Sequence, residues 1–526
     1  MGLTIGFRCD ASLAIGSGHV MRALTLANAL RERGHRCHFL CRDLPGNQNA
    51  RIAGQGFALH VLPAPSDPVP EGDLAHSDWL GVGWEQDAAE SAARLAGIAP
   101  DWVVMDHYAL DARWQAAAVP EGARLMVQDD LRDRRHRADL LLDQNLGVDP
   151  GGYDALVPAG CHRMIGPRYA LLRPDFAGLR QASLSARKGR GLGHVMISMG
   201  GVDLPGGTAQ VLDGLARAPR PNGMRVTVVM GRAAPALEQV RAQAAAMPFP
   251  CKVLVDVTDM ATLMEEADLA IGGTGGTAWE RCCMGLPTLS LVLADNQEAA
   301  ARALTAAGVA LPLGRAGDPQ VAERLATALF ELGRPGRLDA MSERSAALVD
   351  GRGADRVVAA LEAAPLELRP AAMADAKTVW QWRRALDPRA FRSDGETPLA
   401  DHIAWFERAL AEKSRALYMA DIDGCPAAHL RLDRVDNTSD CALVSILVAD
   451  ARQGQGVGAR LLDLARPAAR ALGYRALRAE VHRDNAASRA LFEAAGYRDD
   501  LADGTYMTYH LPLVVEPTPV EDNTHG

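Results

Sequence analysis

The sequence predicts two consecutive doubly wound α/β lobes followed by a smaller α+β unit, and three observations carry that expectation. First, short apolar runs alternate with helical apolar spacing from the start. Residues 4–9 read as a strand, 20–30 as a helix stopped by Gly34, 36–40 as a strand, and 102–105 as a strand ending at Asp106. Alternation of this kind implies a parallel sheet with helices on both faces. Second, the pattern restarts near residue 190. A strand over 194–199 ends in Gly200-Gly201, a second covers 225–230, and 269–271 runs into a glycine loop, a helix from about Ala278, and a strand over 288–293. Third, the chain changes character after the helical stretch 352–364 and Pro365. Leu366-Glu367-Leu368-Arg369-Pro370 reads as a new first strand, and Trp380, Trp382 and Trp405 cluster behind it. The expected organisation is a Rossmann-like lobe over 1–187, a second over 188–364 opened by the Gly-rich, basic linker 188–193, and a third unit over 365–515. The polar tail 516–526 is expected to be disordered.

Composition narrows the classes. The 526 residues are 48% hydrophobic and 23% charged, as in ordinary globular chains, and the net charge of −9 gives no reason to expect nucleic acid or an anionic membrane as partner. No run of about 18 apolar residues appears. The start lacks a basic region followed by a long apolar run, so a cytoplasmic location is expected. Nine cysteines without CxxC pairs suit reduced thiols. In His35-Arg36-Cys37-His38-Phe39-Leu40-Cys41, strand alternation puts Cys37, Phe39 and Cys41 on one face and His38 on the other. Buried strand cysteines are expected there rather than a metal site.

Two segments carry chemistry in the first two lobes. In Asp10-Ala11-Ser12-Leu13-Ala14-Ile15-Gly16-Ser17-Gly18-His19-Val20-Met21-Arg22, a strand ends, a glycine-bearing loop turns, and a helix begins near His19. Such a helix start offers free amides to an anion, and a histidine there can serve as general base; the alternative is a histidine that only caps or packs. The second segment is Gly272-Gly273-Thr274-Gly275-Gly276-Thr277-Ala278-Trp279-Glu280. Four glycines within five residues at a strand-to-helix junction suit a diphosphate, and Glu280 is placed to accept from a ribose. The alternative is a turn made tight for packing alone. No Gly-Lys-Ser/Thr follows, so this is not a P-loop.

With Arg8-Cys9-Asp10, Asp106-His107-Tyr108, Trp114, Gln128-Asp129-Asp130-Leu131, Leu142-Asp143-Gln144-Asn145, Gly166-Pro167-Arg168-Tyr169-Ala170-Leu171-Leu172-Arg173 and Asp295-Asn296-Gln297, these segments span about residues 4–300 in order. Together they resemble the hydrolases of pseudaminic acid biosynthesis. Those enzymes remove UDP from UDP-2,4-diacetamido-2,4,6-trideoxy-β-L-altropyranose and are similar in fold to the GT-B glycosyltransferases of the MurG type. The resemblance implies that His19 activates water at the anomeric carbon without a metal, and that Asp10 and Tyr108 orient His19 or the sugar. It further implies that Gly18, Arg22, Gly275, Gly276, Thr277, Glu280, Asn296 and Gln297 bind the substrate. Asp129 and Asp130 are expected to shape a loop. One departure stands out: after Gly200-Gly201-Val202-Asp203 the family's usual asparagine is replaced by Leu204-Pro205-Gly206-Gly207-Thr208.

In the third unit, the strand Ser445-Ile446-Leu447-Val448 leads to Gln453-Gly454-Gln455-Gly456-Val457-Gly458 and an amphipathic helix. Successive amides freed of side chains make a pyrophosphate cradle. With a strand over 476–481 and Asp484-Asn485-Ala486-Ala487-Ser488-Arg489-Ala490-Leu491-Phe492-Glu493-Ala494-Ala495-Gly496-Tyr497, the stretch 366–513 resembles the GNAT acetyltransferases. This implies acetyl-CoA held by the backbone of Leu447 and Val448, by Gln453, Gly454, Gly456, Val457 and Gly458, and lined by Asn485 and Ser488. Many members carry tyrosine where Phe492 stands, which leaves Ser488, His482, Glu480 or water for proton transfer. Trp380-Gln381-Trp382-Arg383 and His402-Ile403-Ala404-Trp405-Phe406 resemble sugar-nucleotide acetyltransferases, so the expected acceptor is the 4-amino group of a UDP-sugar in a route to glycosylated flagellin. Three other readings stay open: a MurG-like glycosyltransferase with an appended acetyltransferase, a hydrolase of another nonulosonic acid pathway, and a sugar-nucleotide-binding regulator. Dimerisation through the third unit is also an expectation.

Overall fold

A computed structural model describes residues 2–65, 72–203, 205–386, 397–435 and 440–513. The expected disordered tail, 516–526, and Leu204 lie outside the described residues. The chain divides into two compact units, one of Met1–Leu131, Leu142–Val148 and Met164–Val358, the other of Arg132–Leu141, Asp149–Arg163 and Ala359–Gly526.

Two sheets account for the strands before residue 358. The first contains β1 (Thr4–Cys9), β2 (Arg36–Arg42), β3 (Ala58–Leu62), β4 (Trp102–Asp106), β5 (Arg124–Gln128), β6 (Leu140–Asp143) and β7 (His162–Ile165), in the order β3-β2-β1-β4-β5-β6-β7. The second contains β8 (His194–Ser198), β9 (Arg225–Met230), β10 (Cys251–Val255), β11 (Leu269–Gly272), β12 (Thr288–Val292) and β13 (Ala310–Arg315), in the order β10-β9-β8-β11-β12-β13. In each, the order reverses between two parallel neighbours, β1 and β4 in one, β8 and β11 in the other. Side chains in the second sheet alternate between two cores. Val195, Ile197, Val226, Val228, Leu269 and Ile271 enter one, while Met196, Val229 and Ala270 enter the other with Trp279 and Phe176. Burial on both faces is what a parallel sheet under two helical layers requires. Phe176 lies on the helix Pro174–Arg187, so that helix packs with the second sheet although it precedes the expected boundary. The stretch after it is tied down rather than loose: Gly193 and His194 both donate backbone N–H groups to Asp268, at 2.8 and 2.7 Å.

Beneath the first sheet's switch point sits a buried ionic cluster. Asp87 accepts from Arg8 Nε at 3.1 Å and Nη2 at 2.6 Å, from Arg42 Nη2 at 2.7 Å and from the Trp114 indole at 2.8 Å. Arg8 and Arg42 emerge from the neighbouring strands β1 and β2, so one carboxylate bridges both guanidinium groups. The cysteines Cys37 and Cys41 are buried on β2 with Phe39 between them, while His38 faces His60 at 3.2 Å.

The second unit's main sheet contains β14 (Glu367–Pro370), β15 (Arg415–Ile422), β16 (Cys425–Arg434), β17 (Cys441–Val448), β18 (Ala476–His482), β19 (Arg498–Asp503) and β20 (Tyr506–Pro512), ordered β14-β15-β16-β17-β18-β20-β19. The helix Val457–Ala471 packs its Val457, Leu461, Leu462 and Ala465 on one face. Phe406, with Trp382 and Trp405, covers the other beside Leu417, Met419 and Leu447. The segment Asp149–Arg163 belongs to this unit through charge pairs: His162 Nδ1 lies 2.8 Å from Asp463, and Asp154 meets Arg163, Arg466 and Arg470.

Removing one partner of a buried charge cluster leaves the others unpaired. Asp87→Ala is therefore expected to destabilise the unit that contains it by about 3–5 kcal/mol, measured by urea unfolding; a loss below about 1 kcal/mol would show that the cluster is not cohesive.

Candidate active sites

Strand order decides what meets His19. Because β1 and β4 are neighbours, with Cys9 opposite Asp106, the loops that follow them open side by side at the switch point, where ligands of such sheets bind. After β1 the chain turns tightly, with Gly16 N donating to Ser12 O at 2.8 Å, and enters the helix Gly18–Glu32. His19, in the first turn of that helix, places Nδ1 2.6 Å from Asp106 Oδ1. Arg22, three residues on, grips the same carboxylate through Nε and Nη2, each at 2.5 Å. Burial opposes ionisation of Asp106, but Arg22 and then His19 outweigh it and hold the carboxyl well below its usual range. An ionised Asp106 can only accept, so Nδ1 carries the hydrogen and Nε2 is the basic nitrogen.

This geometry bears on three expectations and corrects two of them, those for Asp10 and Arg22. Asp10 does not orient His19; its carboxylate accepts from Arg42 N at 2.7 Å and lies 2.8 Å from Arg8 and 3.3 Å from His107, fully buried. Burial alone would raise its pKa, yet Arg8 and His107 keep it ionised. Arg22 is committed to Asp106 rather than to a ligand, with Asp130 3.6 Å from its Nη1. Tyr108 packs its ring edge-on against His19, with centroids 4.7 Å apart, and its hydroxyl bonds Asp130. Motif reading includes Asp106 in the segment Asp106-His107-Tyr108 but gives it no role of its own. Its position as the last residue of β4, once β4 is known to lie beside β1, is the signal that finds it.

In the second sheet, the glycine loop follows β11 at the corresponding position. A Cβ on Gly272 would lie 2.5 Å from Ser198 O, and one on Gly273 would lie 2.9 Å from Leu293, so these two glycines serve close packing. Gly275 and Gly276 are exposed with open space where a Cβ would project. The expected phosphate loop therefore reduces to those two and Thr277, which begins the short helix Thr277–Cys283. Gln297 braces the loop: its side-chain oxygen accepts from Leu293 N at 3.3 Å and Thr274 N at 3.4 Å, while its backbone carbonyl takes the Thr274 hydroxyl at 3.1 Å. Asn296 beside it is exposed. Just before the place of the missing asparagine, Asp203 accepts from Gly207 N and Thr208 N, both at 2.9 Å, the first two amides of the helix Gly207–Arg217. Glu280 is half-buried; desolvation pushes its carboxyl up to about 7, against the pull of Arg173 and Arg281.

In the second unit, β17 and β18 are parallel and pair from Cys441 to Leu443 against Ala476 to Arg478; both strands then run on, to Val448 and His482. The two strands thus part beside Leu447 and Val448. Gly454 and Gly456 adopt φ of 72° and 76° with open space around them, conformations that favour glycine. Gly456 caps the 15-residue helix Val457–Ala471 without any side-chain bond to the first amides. Gln453 is exposed, Val457 is buried, and Gly458 packs near Leu491 and Val448. Asn485 has a structural task the sequence did not suggest, capping the helix Ala486–Ala494 by accepting from Ser488 N at 3.0 Å. Phe492 is buried between Tyr497 and Tyr509. Tyr509 donates to Glu493 at 2.9 Å, and burial with that carboxylate lifts its pKa to about 12. Among the described residues, no group of three or more His, Cys, Asp or Glu side chains is placed to hold a metal, and no helix is long and apolar enough to cross a membrane.

Residues 378–497 match the acetyltransferase (GNAT) family. The chain is 24% identical over 307 residues to the UDP-2,4-diacetamido-2,4,6-trideoxy-beta-L-altropyranose hydrolase of Campylobacter jejuni, covering 57% of this chain and 96% of that protein. It is 32% identical over 202 residues to the spore coat polysaccharide biosynthesis protein SpsG of Bacillus subtilis, covering 38% of this chain and only 57% of that relative's length. In structure it resembles MurG of Acinetobacter baumannii, with a TM-score of 0.50 at 15% identity over 69% of this chain and 99% of that one. The chain is a fusion of a sugar-nucleotide-hydrolase-like GT-B region and a GNAT domain. The likeness to MurG speaks for the fold of the hydrolase-like region alone, since two strand orders that reverse in the same way are shared by many chemistries.

Glu280 supplies a pH test of that region. A carboxyl whose folded pKa exceeds its unfolded value costs stability as pH rises through the interval between them, here from about 4.5 to about 7. The stability of Glu280→Gln relative to wild type is expected to grow between about pH 5 and pH 8, read from urea midpoints at both pH values; a difference independent of pH would place Glu280 in water.

Proposed function

We propose that the chain is bifunctional in sugar-nucleotide metabolism. Its GNAT domain acetylates the 4-amino group of a UDP-linked 2-acetamido-4-amino-2,4,6-trideoxy sugar with acetyl-CoA, and its hydrolase-like region releases UDP from the diacetamido product. The observation that carries the hydrolase half is the buried His19–Asp106 pair at the β1/β4 switch point.

In the hydrolytic step, Asp106 holds the Nδ1–H of His19, so that Nε2 takes a proton from water. The water oxygen attacks the anomeric carbon, the bond from that carbon to the diphosphate oxygen breaks, and UDP leaves with the electron pair from the opposite face. Inversion follows. UDP is a good leaving group, and amides at Gly275, Gly276 and Thr277 are suited to receive its growing charge. The ribose hydroxyls fall to Glu280, and the sugar to the neighbourhood of Gly18 and Asn296. Arg22 acts through Asp106 as a positioning residue, and no metal is required.

In the GNAT domain, the parting of β17 and β18 gives the pantetheine arm a slot beside the backbone of Leu447 and Val448. The amides from Gly454 to Gly458 suit the pyrophosphate. Phe492 cannot donate a proton to the departing thiolate. Ser488, near the start of its helix, and His482, whose ring lies 5.4 Å from that of Tyr506, are the proton-carrying alternatives. Fusion of consecutive steps raises the local concentration of the intermediate.

Mass spectrometry of products from the UDP-4-amino sugar, with and without acetyl-CoA, tests both halves. Wild type is expected to yield free diacetamido sugar and UDP only when acetyl-CoA is present. His19→Ala is expected to stop at the acetylated UDP-sugar, and Asp106→Asn to lower the UDP-release rate by roughly 100-fold or more. UDP release by His19→Ala at the wild-type rate would remove the proposed base; transfer of the sugar to an added acceptor in preference to water would favour a glycosyltransferase.

A further inference from the structure

Three aromatic rings, Trp79, His76 and Tyr108, gather beside His19, and the reaction as derived uses none of them. The short helical turn Ser77–Leu80 carries Trp79, and His76 precedes it. Trp79 stacks on Tyr108 with centroids 5.5 Å apart and planes 26° from parallel. Its ring is 6.4 Å from that of His19, edge-on at 83°. His76 leans on both, 4.4 Å from Trp79 and 5.5 Å from Tyr108. Tyr108 is buried, as the base of such a stack should be, but Trp79 and His76 are only half-buried. A tryptophan that is held by neighbouring rings yet still presents surface beside a catalytic base is placed to touch a ligand rather than to fill a core.

We propose that Trp79, backed by His76 and Tyr108, is the sugar-recognition wall of the hydrolase-like site and that it selects a pyranose with apolar substituents. The assignment rests on the hydrolase reading above. A ligand whose anomeric carbon lies at His19 and whose nucleotide extends to the second lobe must put its sugar, not its uracil, against this wall. An aromatic face attracts the C–H edge of a pyranose and the methyl groups of deoxy and acetamido substituents. It offers nothing to a hydroxymethyl group that would have to give up its water. The wall thus favours a 6-deoxy, N-acetylated sugar over a fully hydroxylated one.

The test compares UDP release from UDP-2,4-diacetamido-2,4,6-trideoxy-β-L-altropyranose by wild type, Trp79→Ala and Trp79→Phe, with UDP as competitive inhibitor. For Trp79→Ala the expected result is a KM raised by roughly ten-fold, with the UDP inhibition constant within about two-fold of wild type and the fold intact by circular dichroism. Trp79→Phe, which keeps a ring, is expected to recover most of that loss. An unchanged KM in Trp79→Ala would overturn the proposal. So would a parallel loss of UDP affinity, which marks a structural residue, or failure of phenylalanine to rescue a folded protein. A wild-type chain that releases no UDP from this substrate would instead overturn the hydrolase reading and take the wall with it.

Discussion

The carboxylate of Asp106 is the constraint on which the first site is built. A buried carboxylate is costly unless its charge is answered, and here two groups from one helix answer it: the Arg22 guanidinium at two points and the imidazole of His19 at a third. The three cannot be chosen independently. Arg22 must lie one turn beyond His19, and Asp106 must end the strand beside β1. The arrangement fixes the ring orientation and tautomer of His19 without using a free functional group from the cleft. A second layer lies beneath it, where Asp10, His107, Arg8, Arg42 and Asp87 tie the ends of β1, β2 and β4 into one charge-balanced block.

The second lobe and the GNAT domain meet a related requirement in different ways. In the proposed function both would present backbone N–H groups to phosphate oxygens with no side chain intervening. In the hydrolase-like region only Gly275 and Gly276 of the four loop glycines are open, while Gly272 and Gly273 let strands and side chains close in. In the GNAT domain Gly454 and Gly456 turn the chain through left-handed conformations into a long helix, and two parallel strands separate beyond Leu443 and Arg478. The two proposed reactions, consecutive on one sugar nucleotide, would give such a fusion its chemical sense.

Much of this is legible in the sequence because the strong signals are local. The apolar runs of β1, β4, β8, β9 and β11 and the glycine loops mark both sheets and both strand-to-helix junctions. His19 stands out because it opens a helix after a glycine turn. Asp106 does not, because its role depends on β4 lying next to β1, a non-local fact that no spacing encodes. Asp10 draws attention by standing at the head of the motif, yet its carboxylate answers Arg8 and His107 below the site. Asn485 and Gln297 look like ligand contacts because amides so often are; what spacing does not show is that their local backbones also give them the tasks of a helix cap and a loop brace. Trp79 and His76 belong to no motif; only packing brings them beside His19.

In the proposed hydrolysis water attacks carbon, with His19 taking its proton, rather than phosphorus. Hydrolysis of the UDP-sugar in water enriched in oxygen-18, followed by mass spectrometry of both products, distinguishes the two directly. The label is expected at the anomeric hydroxyl of the released sugar, with unlabelled UDP. Label in the terminal phosphate of UDP and none in the sugar would contradict the mechanism and the role given to His19.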